Sequence, residues 1–98
     1  MLTYDLKVDP ETILVEFQGD IDTYAADLFY NGLYIIADHE NRSFCLQFEH
    51  VEMIDPEGLE FILTMISKVT AKGNQVKVAN LASDIHHVLL QRNARLCI

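Results

Sequence analysis

Carboxylates crowd around one short segment, Asp55-Pro56-Glu57-Gly58, where Glu49, Glu52, Asp55, Glu57 and Glu60 fall close together. Such a group can in principle act as a general acid/base pair or hold a magnesium ion. The same residues also make an efficient helix start. Asp55 can accept a bond from a first-turn N–H, Pro56 suits the first helical position, and Glu57 complements the positive end of the dipole. No pocket-forming feature accompanies the carboxylates, so structure accounts for them better than catalysis. Gly58 is the odd member. A helix disfavours glycine by about 1 kcal/mol relative to alanine. A bare glycine there points to a close approach to the backbone, with another protein as one candidate.

The rest of the chain offers no competing chemistry. Gly19, Gly32, Gly58 and Gly73 are too widely spaced for a phosphate-cradling loop. His39, His50, His86 and His87 have no metal-ligand spacing, and adjacent histidines on a helix point about 100° apart. Ser43 and Ser67 lie inside apparent elements and Ser83 reads as a helix cap, so no nucleophile–base arrangement emerges. Cys45 and Cys97 make no disulfide framework, and reduced thiols are the expectation. No catalytic residue, cofactor or metal is expected.

Composition narrows the partners. A chain of 98 residues with net charge -8 fits one domain and lacks the basic stripe that nucleic acid requires. The negative charge also disfavours anionic lipid surfaces. There is no basic segment followed by an apolar run at the start, and no apolar run approaches the roughly 20 residues of a membrane helix. A cytoplasmic protein without membrane insertion is expected.

The elements that must position the segment follow from periodicity. Alternation marks strands at "LTYDLKV" and "TILVEFQ", joined as a hairpin across Asp9-Pro10, with Leu2, Tyr4, Leu6 and Val8 on one face. Asp22 then caps a helix reaching about His39, whose stripe is Ala25, Leu28, Phe29, Gly32, Leu33 and Ile36. "SFCLQFE" is a buried third strand. A helix runs from Pro56 to about Lys72 on the stripe Leu59, Ile62, Leu63, Ile66 and Val69, and Gly73-Asn74 ends it in a left-handed cap. "QVKVANL" is a fourth strand. Ser83 opens a third helix with Ile85, Val88 and Leu89 inward, and "ARLCI" is a candidate for the start of a short last strand. Strands alternating with helices predict a single α/β domain over residues 1–98, with a mixed, mostly parallel sheet of four to five strands and right-handed crossovers.

This order, together with "VEFQGDIDTYAA", "FCLQFEHVEMID" and "IDPEGLEFIL", resembles the STAS domain, the family of bacterial anti-sigma-factor antagonists. The last stretch is similar to the family signature Asp-Ser-Ser/Thr-Gly-Leu. Asp55, Gly58 and Leu59 occupy family positions. Pro56 stands where the family carries its phosphorylated hydroxyl, and Glu57 replaces the second hydroxyl residue. The resemblance therefore implies a non-catalytic regulatory or scaffold protein whose phosphorylation switch is absent. It implies a protein partner, either an anti-sigma-type serine kinase or another STAS protein. The ATPase of a lipid-transporting ABC complex is the alternative, and a homodimer is possible. The expected binding surface comprises Asp22, Asp55, Pro56, Glu57, Gly58, Leu59, Phe61 and Met65, the apolar members forming a spot ringed by Glu57 and Glu60. Glu57 adds a fixed negative charge beside the lost hydroxyl, but lacks the three acceptor oxygens of a phosphate.

Overall fold

Alternating apolar residues set the strands. The computed structural model describes residues 1–38, 42–82 and 95–96. Strand β1 (Thr3–Val8) pairs antiparallel with β2 (Thr12–Ile21), and β3 (Ser43–Ile54) runs parallel to β2. Strands β4 (Val76–Ala79) and β5 (Arg95–Leu96) continue in parallel, giving the order β1-β2-β3-β4-β5. Ile13, Phe44 and Val76 lie side by side, as do Val15, Leu46 and Val78, so every second residue joins one buried face. Burying each such side chain is worth about 1.5–3 kcal/mol.

Among the described residues, two helical segments cover that face. The first, α1, is built from four consecutive pieces: a 3-10 turn at Thr23–Ala25, α-helix at Ala26–Leu28, π-helix at Phe29–Leu33 and α-helix at Tyr34–Ile36. The second, α2, spans Pro56–Ala71. Phe17 stacks on Phe48 at 5.2 Å and on Phe29 at 6.0 Å, and Phe29 meets Phe61 at 5.4 Å. This aromatic column ties the sheet to both helices, so α1 and α2 lie on the same side.

The α/β architecture and the mixed sheet agree with the sequence reading, while several details differ, among them β2 running on to Ile21 and β4 ending at Ala79. Strand β3 runs past the predicted Glu49 to Ile54, because irregularities in β2 around Gln18 and Gly19 let His50, Val51, Met53 and Ile54 stay paired. The first helix is not one regular α-helix. Its π-segment widens the turn so that Phe29, Leu33, Tyr34 and Ala37 are all buried, while Leu28 and Ile36 are only partly so. Leu6 and Val8, read on one face with Leu2 and Tyr4, are 36% and 56% exposed because β1 is an edge strand that α1 covers only near Tyr4. Cys45 points to the opposite face and is half-buried rather than buried.

Helix α2 ends as expected. Gly73 adopts φ 83°, its N–H donates to the Thr70 carbonyl at 2.9 Å, and the Asn74 N–H donates to Val69 at 3.3 Å. His39, the third helix from Ser83 with Ile85, Val88 and Leu89, His86, His87 and Cys97 lie outside the described residues.

Candidate functional site

Parallel pairing brings Ile21 at the end of β2 beside Ile54 at the end of β3. The two turns that follow, Asp22 into α1 and Asp55 into α2, therefore meet at one end of the sheet. Asp22 has extended backbone and accepts a bond from the Tyr24 N–H at 3.0 Å, capping the first turn of α1. Asp55 does the same for α2, accepting from the Gly58 N–H at 2.7 Å, with Pro56 in the first turn. The Asp55 N–H donates to the Ile21 carbonyl at 3.1 Å, which fastens the second turn to the first. The Glu57 carboxylate accepts from the Thr23 hydroxyl at 3.0 Å and latches them a second time.

Gly58 is explained by this same junction. A Cβ placed on it would sit 1.8 Å from the Ile21 carbonyl oxygen and 2.5 Å from its carbon. The group that approaches the bare backbone is the chain's own β2, not another protein. Gly58 is buried accordingly.

The predicted binding residues thus divide. Asp22, Asp55, Pro56, Glu57, Gly58 and Leu59 are brought together at the joined turns; Pro56 and Glu57 are exposed, and Asp22, Asp55 and Leu59 are partly so. Met65 is a correction: at 0% exposure it belongs to the core, since its position on α2 turns it toward the sheet beside Ile62, Ile66 and Val69. Phe61 is half-buried between Phe29 and Tyr30, and its carbonyl accepts from the Tyr34 hydroxyl at 3.2 Å. The apolar spot inferred from Gly58, Leu59, Phe61 and Met65 is therefore mainly the packing between α1, α2 and the sheet.

What the junction does present to solvent is Pro56, Glu57 and Glu60 from one turn, with Thr23 and Tyr24 from the other. Tyr24 is 92% exposed. The sequence reading did not single out Thr23 or Tyr24. Tyr24 had a visible signal: it is an aromatic residue outside the apolar stripe of α1. A groove of about 610 Å³ runs alongside it, bounded by Asp22, Tyr24, Leu28 and the start of the chain at Met1 and Leu2.

The surface charge here is negative and the hydrogen-bonding capacity of Asp22 and Asp55 is directed at backbone N–H groups. Among the described residues no group of His, Cys, Asp and Glu is arranged to hold a metal ion. Tyr34, packed between α1 and α2 away from the junction, differs from an ordinary tyrosine. Burial, opposed by a bond with Thr64 and reinforced by Tyr30, raises the Tyr34 hydroxyl above the usual value of 10.0. Lys68 lies 5.5 Å from the centre of its ring. Among the described residues no helix is long and apolar enough to cross a membrane.

The model of the STAS domain family matches residues 3–94. A search of curated protein sequences gives no match. Among solved structures, the unphosphorylated anti-sigma factor antagonist SpoIIAA superimposes with a TM-score of 0.79 at 16% identity, over 98% of this chain and 88% of that one. An anti-sigma factor antagonist from Mycobacterium paratuberculosis gives 0.76 at 18% identity, over 98% and 85%. The phosphorylated form of SpoIIAA from Bacillus gives 0.70 at 14% identity, over 98% and 92%. At these identities the structural likeness establishes the fold.

Proposed function

The chain belongs to the STAS domain family, and from that premise we propose that it is a non-catalytic regulatory or scaffold protein of the cytoplasm that binds a partner protein through the joined turns at the starts of α1 and α2. The proposed contact surface is Pro56, Glu57 and Glu60 with Thr23 and Tyr24, shaped from behind by Asp22, Asp55, Gly58 and Leu59. The partner is an anti-sigma-type serine kinase or a second kind of STAS protein.

The observation that carries this reading is the state of the signature turn. Its scaffold is intact: Asp55 caps Gly58, and Gly58 rests on Ile21. Yet residue 56 is proline, which has no hydroxyl to accept a phosphoryl group. A phosphate there would add about -1.5 to -2 of charge and three acceptor oxygens. Glu57 supplies a fixed charge, and its carboxylate already accepts from Thr23. That bond supports a role in holding the two turns together rather than in standing for a phosphate. The surface is thus kept in one state, suited to constitutive binding.

Capture from the native cytoplasm tests this, using the tagged wild type beside Glu57→Arg and Tyr24→Ala. Both substitutions are at exposed positions, so the fold should survive, as circular dichroism will show. A serine kinase or STAS protein held by the wild type and lost from both variants is the expected result. Retention of every partner by both variants would refute the surface. Recovery of an ABC ATPase instead would make the protein a subunit of a transport complex.

A further inference from the structure

We propose that β1 is a self-association edge, to which a second copy of this chain adds its own β1 antiparallel, in register about Leu6, joining two sheets into one. This rests on a different surface from the proposed partner site and does not depend on that reading.

The free edge is defined by hydrogen-bond alternation. Strand β1 is the outermost in the sheet, and its residues from Asp5 to Val8 are exposed. At the hairpin turn the Asp9 N–H donates to the carbonyl of Thr12, opposite it in the same register as Val8 and Ile13. In an antiparallel ladder bonded and non-bonded pairs alternate. Lys7, Asp5 and Thr3 therefore bond across to β2, while Tyr4, Leu6 and Val8 direct their N–H and C=O groups away from the sheet. An outward row of this kind is a template for another strand.

The sequence of that row complements itself. In "YDLKV", antiparallel pairing about Leu6 sets Leu6 opposite Leu6 of the second copy, Tyr4 opposite Val8, and Asp5 opposite Lys7. Leu6, Tyr4 and Val8 are the residues whose backbone groups are free, so the pairs they form are the hydrogen-bonded ones. Leu6 and Val8, 36% and 56% exposed, would cover each other and Tyr4 on the helix side. On the other face, charge follows the same symmetry. Within one chain Asp5 lies directly across from Glu16, an unfavourable like-charge pair, and Lys7 reaches diagonally to Glu16 at 3.0 Å. The second copy would place its Lys7 on the far side of Asp5. Each row then reads Glu16, Asp5, Lys7, Leu14, with the lysine countering both acids. Each copy carries -8 overall, so close approach needs a local arrangement of opposite charges such as this one. Beyond roughly 8 Å, salt at physiological strength screens the remainder.

Sedimentation equilibrium of the full chain at about 0.15 M salt tests the proposal. The wild type should show a reversible dimer of the 11.2 kDa chain. Asp5→Lys and Lys7→Asp each put like charges at both symmetry-related pairs and should weaken the dimer by at least about tenfold. The double variant, Asp5→Lys with Lys7→Asp, restores opposite charges in the swapped order and should recover it. Leu6→Pro removes an outward N–H while sparing the ladder to β2, so it should give a folded monomer. A wild type that remains monomeric over the accessible concentrations would overturn the proposal. So would a dimer that persists in Leu6→Pro, or a double variant no better than the single ones.

Discussion

Replacing Gly58 by alanine distinguishes two accounts of that residue, a site kept bare for an outside partner and a site kept bare for β2. Helix propensity alone favours the alanine by about 1 kcal/mol. Against it stands a Cβ 1.8 Å from the Ile21 oxygen and 2.5 Å from the Ile21 carbon. Those are backbone atoms at the end of a paired strand, so no side-chain rotation relieves the overlap. Either α2 or the end of β2 must shift by roughly an ångström or more, at the usual overpacking cost of about 1–3 kcal/mol. That shift also pulls on the Asp55–Ile21 bond, worth about 1 kcal/mol, and on the Asp55 cap, worth about as much again. The net loss is about 2–4 kcal/mol after the propensity gain. For a chain of 98 residues this lowers Tm by about 10–25 °C. Urea and thermal unfolding followed by far-UV circular dichroism give the number, with exposed Ser67→Ala as a helix control expected to stay near wild type. An unchanged or raised Tm for Gly58→Ala would refute the packing account.

Two further outcomes follow from the same structure. Met65→Ala should destabilise by about 2–5 kcal/mol in urea unfolding, as expected of a fully buried side chain rather than a contact residue. An absorbance titration near 295 nm of the wild type beside Tyr34→Phe should assign to Tyr34 an ionisation above the usual value of 10.0, because burial raises it. Since the unfolded chain gives up that proton first, stability is present below about pH 10 and falls as the pH climbs toward the folded value. Tyr34→Phe should flatten that alkaline loss, and an unchanged alkaline slope would count against the assignment.

The sequence carried much of this arrangement because its signals were local. Alternation in "TILVEFQ", the apolar character of "SFCLQFE", the Asp22 and Asp55 caps, and Gly73 each report a backbone preference that survives in the folded chain. What it did not carry was contact at a distance. Nothing near Gly58 in sequence announces the Ile21 carbonyl, and nothing near Glu57 announces Thr23. Met65 lies just outside the stripe drawn through α2, yet the helix presents a broader buried arc than that stripe, and Met65 falls within it. The π-segment in α1 is likewise set by how Phe29, Leu33 and Tyr34 must meet the sheet, and helical periodicity cannot express it. Leu6 and Val8 obey a strand pattern without the cover that would bury them.

The monotonic strand order has a kinetic meaning. Every strand pairs with the one made immediately before it, and each closure between β2, β3 and β4 spans only about thirty residues of chain. The β1–β2 hairpin can form within microseconds, and each later strand finds a finished edge waiting for it. Among the described strands none must insert between two already placed, so the sheet can assemble in chain order as synthesis advances. The growing edge moves steadily from β2 toward β5, while β1 keeps the other edge from the first moment to the last.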